Sequence, residues 1–203
     1  MTNTTISSTI SRPDFAAIAA LVKAGAKVLD LGCGDGSLLR YLSDTRNVHG
    51  YGVEINDENI QACFNNGINV IQSDLESGLS SFESGSFDYV ILSQTLQAMR
   101  HTEGLIKEMM RVSKEGIVSF PNFGYWKNRL QVMSGHMPVS EVLPYEWFDT
   151  PNIHLCTLSD FERFCRQYGV HILERRIMNG DHQISFAPNL LGKLAFYRFE
   201  QQK

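Results

Sequence analysis

A strand-like segment that runs into closely spaced glycines constrains the fold of this chain more than any other feature. The apolar run at 28–31 contains an acidic residue, Asp30, and a helical pattern starts at Ser37. Between them lie Gly32, Cys33, Gly34, Asp35 and Gly36. Glycine has no Cβ, so a ligand can lie against the loop backbone, and the first N–H groups of the following helix are unpaired. The segment therefore predicts a nucleotide-like ligand at the end of a strand.

The glycine spacing indicates which kind of nucleotide this is. The dinucleotide fingerprint G-x-G-x-x-G would place its third glycine at position 37, which is Ser37. The spacing instead resembles the D/E-x-G-x-G-x-G motif of class I S-adenosylmethionine (SAM)-dependent methyltransferases. That resemblance implies that the loop holds the methionine half of SAM and that Asp30 faces its amino group. A tight turn without a ligand is the disfavoured alternative, because ordering three glycines costs chain entropy.

Two further acidic residues follow strand-like segments. Glu54 comes directly after 48–53, where many α/β nucleotide binders place an acid that pairs with ribose hydroxyls. A solvated loop residue is the alternative, and the joint spacing with the glycines favours the ribose role. Asp74 ends the next segment, and the methyltransferase resemblance implies that it faces the adenine amino group. A helix N-cap at Ser73 or Asp74 explains this position equally well.

Strand and helix patterns alternate along the first two thirds of the chain. Strand candidates lie at 27–31, 48–53, 68–72, 87–93 and 116–120, with helical patterns at 13–23, 37–43, 57–65 and 102–113. This rhythm predicts an α/β fold with a doubly wound, mostly parallel sheet. Such sheets bind ligands at the carboxyl ends of their strands. The candidates that fall there are Asp30, Glu54, Asp74, Ser93 and Pro121.

The remaining third is divided between an irregular stretch and three further elements. The stretch 121–156 holds four of the six prolines and six aromatic rings, which favours a partner interface or a substrate cover. The alternative is that these rings pack the insert onto the domain. A helix at 157–168 and strands at 170–177 and 183–187, joined near 179–181, predict a C-terminal antiparallel hairpin and a seven-stranded sheet. We expect a single domain over 12–203.

Composition excludes several classes of function. The chain has 203 residues, 43% hydrophobic and 20% charged, and a formal net charge of -4 without a Lys/Arg run, so we expect no nucleic-acid partner. No apolar stretch approaches the roughly 18 residues that cross a bilayer, so we expect no membrane association. Residues 1–11 are Ser/Thr-rich without signal-peptide features, which predicts a disordered N-terminus. Four scattered cysteines favour a reduced, cytoplasmic protein.

Three long blocks resemble a particular family. They are F-D-Y-V-I-L-S-Q-T-L-Q-A at 87–98, I-V-S-F-P-N-F-G-Y-W at 117–126 and L-P-Y-E-W-F-D-T-P-N-I-H at 143–154. These blocks are similar to those of MetW, the methionine-biosynthesis proteins of proteobacteria, over about residues 12–169. The resemblance implies a class I methyltransferase fold, binding of SAM or S-adenosylhomocysteine, and association with the MetX homoserine O-acyltransferase. The cofactor contacts it implies are Asp30, Gly32, Cys33, Gly34, Asp35, Gly36, Glu54, Ile55, Asp74, Leu75, Ser93 and Gln94.

The sequence leaves the chemistry open. Methyl transfer depends mainly on positioning, so the lack of an evident general base does not exclude an enzyme. The fourth strand is followed by Ser93-Gln94-Thr95-Leu96 rather than the Asn/Asp-Pro-Pro-Tyr/Phe segment of many amino-methyltransferases. The six histidines lack metal-ligand spacing, so we expect no metal site. Two hypotheses remain: a SAM-binding partner subunit that supports MetX, and an active SAM-dependent methyltransferase on a small non-nucleic-acid acceptor.

Overall fold

The computed structural model describes residues 13–202, which form one eight-stranded sheet in the order β3-β2-β1-β4-β5-β8-β6-β7. The strands are β1 Lys27–Leu31, β2 His49–Glu54, β3 Asn69–Gln72, β4 Phe87–Ser93, β5 Ser113–Pro121, β6 Val170–Asn179, β7 His182–Gln183 and β8 Leu194–Gln201. The first five are parallel, and β8 pairs antiparallel with both β5 and β6. The predicted α/β class with a mostly parallel sheet and antiparallel C-terminal strands is confirmed.

Helices cover both faces of this sheet. They are α1 Pro13–Ala19, α2 Ser37–Arg46, α3 Asp57–Asn65, α4 Thr102–Val112, α5 Trp126–Met133, α6 Leu158–Gln167 and α7 Pro188–Leu191, with short 3-10 helices at Leu75–Ser77 and Leu96–Ala98. Local chemistry fixes where several begin. The Asn56 side chain accepts a hydrogen bond from the Asn59 N–H at the start of α3, and Thr157 and Asp160 form a reciprocal capping box at the start of α6.

Two apolar layers explain why the central strands β1, β4 and β5 are hydrophobic without alternation. On one face, Leu29 and Val90 pack with α4 and α6. On the other face, Val28 and Ile91 pack with α1 and α2. Strands covered on both faces bury every side chain, which is the arrangement expected of a doubly wound sheet. The parallel strand ends meet along one edge of the sheet, and that edge carries the candidate site.

The C-terminal strands differ from the predicted hairpin. A turn at 179–181 does join β6 to β7, but that pairing is only two residues long, and the region 183–187 leads into α7 instead of continuing as a strand. The main partner of β6 is β8, which lies between β5 and β6. The burial of side chains explains the outcome, because Phe196 and Phe199 are fully buried in β8 whereas Phe186 is 81% exposed.

Two other sequence predictions differ in detail from the structure, and a third lies outside the described residues. The first helix ends at Ala19 rather than near residue 23. The stretch 121–156 is not wholly irregular, since it contains α5 and an isolated bridge between Ser140 and Leu143. The predicted disordered segment 1–11 lies outside the described residues. Within 13–202, no helix is both long and apolar enough to cross a membrane.

Candidate ligand site at the carboxyl edge of the sheet

The glycine loop is held at the end of β1 by the neighbouring strand. The N–H groups of Gly32 and Cys33 both donate to the carbonyl oxygen of Val53, at 2.8 and 3.1 Å. Gly32, Gly34 and Gly36 have φ values of 68°, 55° and 77°, in the left-handed region that favours glycine. The loop therefore depends on glycine for its backbone path as well as for space.

The three glycines face different surroundings. A Cβ at Gly32 would lie 3.1 Å from the Thr95 hydroxyl oxygen, and one at Gly36 would lie 3.1 Å from the Cys63 sulfur. A Cβ at Gly34 would have no described atom within 4 Å. The protein therefore packs against the first and third glycines and leaves the backbone of the second open. This is the point of the loop that a ligand can approach most closely.

Glu54 lies beside that open position, at the end of β2. It is 8% exposed. Its Oε2 accepts a hydrogen bond from Gly34 N at 2.9 Å, and its Oε1 accepts from Ile55 N and Asn56 N at 2.8 and 2.9 Å. These bonds fix the carboxylate next to the loop. Each carboxylate oxygen has two lone pairs, so Oε2 keeps the capacity to accept one more hydrogen bond, such as one from a hydroxyl.

Asp30 is the most unusual polar group of the site. Its side chain is 2% exposed, and its Oδ1 has no hydrogen-bond partner among residues 13–202. Burial, and secondarily the negative charge of Glu54, raise the pKa of Asp30 to about 8. Burying an unpaired carboxyl group is costly. A cationic or hydrogen-bond-donating ligand would remove that cost, so Asp30 favours a ligand with an ammonium group.

Cys33 lies beneath the loop rather than on its ligand side. It is 7% exposed, contacts Gly52 closely enough that this strand position must lack a Cβ, and has its sulfur 3.8 Å from that of Cys63. The Cys63 thiol donates to the carbonyl oxygen of Gly34 at 3.1 Å. Burial raises the pKa of both thiols, with nearby carboxylates contributing. Both cysteines therefore support the loop, and neither is set up as a nucleophile.

The remaining candidates lie at the ends of β2, β3 and β4. Ile55 is 59% exposed directly after Glu54. Asp74 caps the 3-10 helix that begins at Leu75, accepting a hydrogen bond from Glu76 N at 2.9 Å. Because this cap leaves the exposed Asp74 carboxylate with further acceptor capacity, the N-cap role and a ligand role are compatible. The edge thus brings the predicted positions onto adjacent strand ends.

The end of β4 has an unusual backbone conformation. Gln94 has a φ of 52°, which is uncommon for a residue with a side chain. Its N–H donates to the Ser119 carbonyl oxygen at 2.9 Å, and Ser93 and Ser119 share a hydrogen bond between hydroxyls at 3.0 Å. Strained backbone of this kind costs about 1–3 kcal/mol and often occurs at functional sites. The left-handed turn redirects the chain across the edge of the sheet toward Gln97.

Gln97 also lies at this edge, although it is not among the cofactor contacts expected from the sequence. Its side-chain NH₂ donates to the Gln94 carbonyl oxygen at 2.8 Å, and its own carbonyl oxygen accepts from Ile153 N and His154 N at 2.8 and 2.9 Å. Its Oε1 is buried without a partner in the described structure. Gln97 thus connects the end of β4 to the segment before α6. No local sequence pattern signals such a connection across more than fifty residues.

A cavity of about 280 Å³ lies next to this connection, at the ends of β4 and β5. Its walls are mainly apolar and include Leu96, Phe120 and Phe161. Polar groups of Gln97, His154 and Asp160 also line it. The cavity is separate from the glycine loop but shares the same edge of the sheet. It is large enough for a small organic molecule.

Comparison with known proteins identifies the family. Residues 12–199 match the family model described as "Methionine biosynthesis protein MetW". The chain belongs to the MetW family. The family resemblance inferred from the three sequence blocks is thereby confirmed.

A curated relative of this MetW chain joins two functions in one protein. The bifunctional methionine biosynthesis protein MetXA/MetW of Rhodopirellula baltica is 37% identical over 186 residues, which cover 87% of this chain. The match covers 30% of the relative, so the MetW chain spans less than a third of that protein's length.

Solved structures show the fold of the MetW chain. A possible histamine N-methyltransferase of Thermotoga maritima superposes with a TM-score of 0.66 at 16% identity, covering 94% of this chain and 88% of its own. A SAM-dependent methyltransferase of Mesorhizobium loti superposes with a TM-score of 0.66 at 16% identity, covering 93% of this chain and 98% of its own. The [4+2]-cyclase SpnF superposes with a TM-score of 0.65 at 15% identity, covering 94% of this chain and 80% of its own. These likenesses establish the class I methyltransferase fold. They do not establish a reaction, since one neighbour is named as a cyclase.

Proposed function

We propose that this MetW protein binds SAM, or its demethylated product, at the glycine loop and supports a MetX homoserine O-acyltransferase as a partner subunit. The observation that carries the ligand part is the buried Asp30 carboxyl group, whose Oδ1 has no partner in residues 13–202. SAM and S-adenosylhomocysteine both carry an α-ammonium group. An ammonium at this position would give Asp30 the charge partner that burial denies it.

The other residues of the edge fit the rest of the same ligand. The open backbone at Gly34 leaves room for the ligand chain, and Glu54 can accept a hydrogen bond from a ribose hydroxyl. The exposed Ile55 side chain and Leu75 offer apolar surface for a base, and Asp74 offers an acceptor for an exocyclic amino group. Ser93 and Gln94 would close the methionine side. When bound, SAM would supply a methyl group on a sulfonium, and these residues would bind and orient it.

The partner proposal rests on the fused relative. A protein named MetXA/MetW carries both modules in one chain, and fusion of two modules raises their effective local concentration. Selection for such a fusion is expected when the modules act together. SAM is made from methionine, so a SAM-binding subunit could report the supply of the end product to an early enzyme of the pathway. Such regulation requires that SAM bind the two functional states with different affinities.

The test has two arms. Calorimetry with SAM should give a dissociation constant in the micromolar range, and Gly34→Val should abolish binding because its side chain fills the open space above the loop. Circular dichroism would verify that this variant is folded. Normal SAM binding by folded Gly34→Val would refute the loop assignment. In the second arm, the cognate acyltransferase is purified and assayed with and without this chain. No association and no change in acyl transfer would refute the partner assignment.

A second function is favoured by the cavity at the ends of β4 and β5. Its position beside Gln97 would place a small, partly apolar molecule close to the proposed SAM site. The protein would then be a methyltransferase that acts on a small acid or alcohol. Transfer of label from methyl-labelled SAM to a pathway metabolite, lost when Phe161→Trp fills the cavity, would support this function. If the label stays on SAM with every metabolite tested, the methyltransferase function is refuted and the partner-subunit function remains.

A further inference from the structure

The segment before α6 exposes an unusual amount of apolar surface. Of the eighteen large apolar side chains that are exposed in residues 13–202, eleven lie between 126 and 155. Trp147 and Phe148 are 72% and 71% exposed, and Met133 is 81% exposed. The sequence left open whether the aromatic rings pack the insert onto the domain. Tyr125 does so, being 5% exposed, whereas Trp126, Tyr145, Trp147 and Phe148 face outward.

We propose that this surface, formed by α5 and residues 137–155 and called here the docking surface, is where the acyltransferase partner binds. The inference rests on the proposed function and adds its interface. Soluble monomers rarely expose large contiguous apolar patches, and such patches commonly mark protein–protein contacts. Both tryptophans of the chain lie in the docking surface. Tryptophan, tyrosine and methionine are enriched in interfaces, and tryptophan is prominent among the residues that contribute most to binding energy.

The two parts of the docking surface are joined to each other. Along α5, Trp126, Leu130 and Met133 occupy positions i, i+4 and i+7, so they lie on one side of the helix. The end of α5 is joined to the following segment because the Gln131 side chain bonds both the N–H and the carbonyl oxygen of Val139, at 2.8 and 3.2 Å. Beyond that junction, a small cleft brings together side chains from both ends of the segment, namely Met137, Tyr145, Trp147 and Leu155.

The aromatic residues are presented on an anchored segment. Leu143 is 4% exposed and lies in a turn in which Ser140 and Leu143 exchange backbone hydrogen bonds at 2.8 and 3.1 Å. The other end is held where Gln97 accepts from Ile153 N and His154 N. Between these anchors, the Trp147 and Phe148 rings contact edge to face with centroids 5.8 Å apart. A preorganised surface loses less conformational entropy on binding.

The charge of the region favours a protein over other occupants. Residues 121–156 contain only five charged side chains, two basic and three acidic, for a net charge of -1. A surface that binds anionic lipid or nucleic acid needs clustered Lys and Arg. Depletion of charge with enrichment of aromatic residues is instead the composition of the core of a protein interface. The fused relative carries both modules in one protein, which favours a MetX protein as the occupant.

The experiment compares two variants of the full chain. Trp147→Ala/Phe148→Ala removes the most exposed aromatic pair of the docking surface. Phe64→Ala removes a ring that is 60% exposed on α3, outside the docking surface, and serves as the matched control. Calorimetric titration with the purified cognate acyltransferase should show affinity at least a hundredfold weaker for the double variant and unchanged for the control. Both variants should bind SAM as the wild type does, which verifies that they are folded.

Fluorine NMR locates the interface directly. Full-length chain labelled with 5-fluorotryptophan should give two resonances, one for Trp126 and one for Trp147, assigned with Trp126→Phe. Addition of unlabelled acyltransferase should shift or broaden both. Acyltransferase binding that is unaffected by the double variant, with unmoved resonances, would refute the docking surface while leaving the proposed function intact. No binding by wild-type chain would refute both. A wild-type chain that dimerises through these aromatics and still binds the acyltransferase would also overturn the inference.

Discussion

At the scale of single residues, the candidate site contains a buried carboxyl group, that of Asp30, whose Oδ1 has no partner among residues 13–202. A carboxyl group whose pKa is about 8 in the folded protein and 3.8 in an exposed one holds a proton through the neutral range. A ligand ammonium pairs with the ionised form, so binding must release that proton. The buried group therefore links ligand affinity, folding stability and pH, and each link has a definite sign.

The first prediction concerns that sign. Because the folded pKa of Asp30 is raised, its contribution to stability is fully present below about pH 4 and is lost as pH rises toward 8, by up to about 1.4 kcal/mol per pH unit. Asp30→Asn removes this titration. Denaturant unfolding should therefore show the wild type losing stability relative to Asp30→Asn between pH 5 and 8. Parallel stability curves would show that Asp30 does not titrate in this range.

The second prediction concerns Glu54. A hydrogen bond to a charged group contributes about 1.5–3 kcal/mol, so Glu54→Ala should weaken SAM binding by more than tenfold in calorimetry. The loss includes the freed Gly34 N–H, which Glu54 holds at 2.9 Å. Glu58→Ala, which removes an exposed acid from α3, is the control for net charge. An unchanged dissociation constant for Glu54→Ala would remove this residue from the binding site.

At the scale of elements, the sequence predicted the parallel half of the fold. The glycines, Glu54 and Asp74 follow local runs whose burial pattern and turn chemistry are visible in a short window. Helix α3 at Asp57–Asn65 has the predicted bounds, because an Asn cap and a polar turn define its ends. Sequence patterns do not predict the order of strands that pair with partners far away in the chain. β8 takes its place through partners in β5 and β6 rather than through any local pattern.

The third prediction tests the importance of β8. This strand lies between β5 and β6, and Phe196, Tyr197 and Phe199 are fully buried in it. A chain that ends at Gly192 exposes both neighbouring strands and lacks these rings. Truncating one buried aromatic side chain to alanine typically lowers the free energy of unfolding by about 3–5 kcal/mol. Circular dichroism and proton NMR should show no folded state. Removal of residues 202–203 alone is the control. A folded chain ending at Gly192 would show that β8 is dispensable.

At the scale of the whole molecule, hydrogen bonds of Gln97 connect the candidate ligand edge to the proposed docking surface. The Gln97 side chain bonds Gln94 at the candidate ligand edge, and its backbone carbonyl oxygen accepts from Ile153 N and His154 N near the C-terminal end of the docking surface. The sequence could not predict this connection, since its members lie at 94–97 and 153–154 and meet only through the fold. A shift of the left-handed turn at Gln94 on ligand binding would be transmitted by two hydrogen bonds to the segment that carries Trp147.

The last prediction follows from thermodynamic linkage. If SAM changes the affinity for the acyltransferase by some factor, the acyltransferase must change the affinity for SAM by the same factor, with about 5–150-fold being typical. Gln97→Leu removes the bond to Gln94 while keeping the backbone carbonyl, and it also removes the unsatisfied Oε1. Calorimetry can measure the binding of SAM with and without the acyltransferase, and of the acyltransferase with and without SAM. In Gln97→Leu, the coupling factor should fall toward one, while the affinity for SAM alone and the affinity for the acyltransferase alone should be retained. A factor of one in the wild type would mean that ligand and partner bind independently, and MetW would then support its partner without sensing SAM.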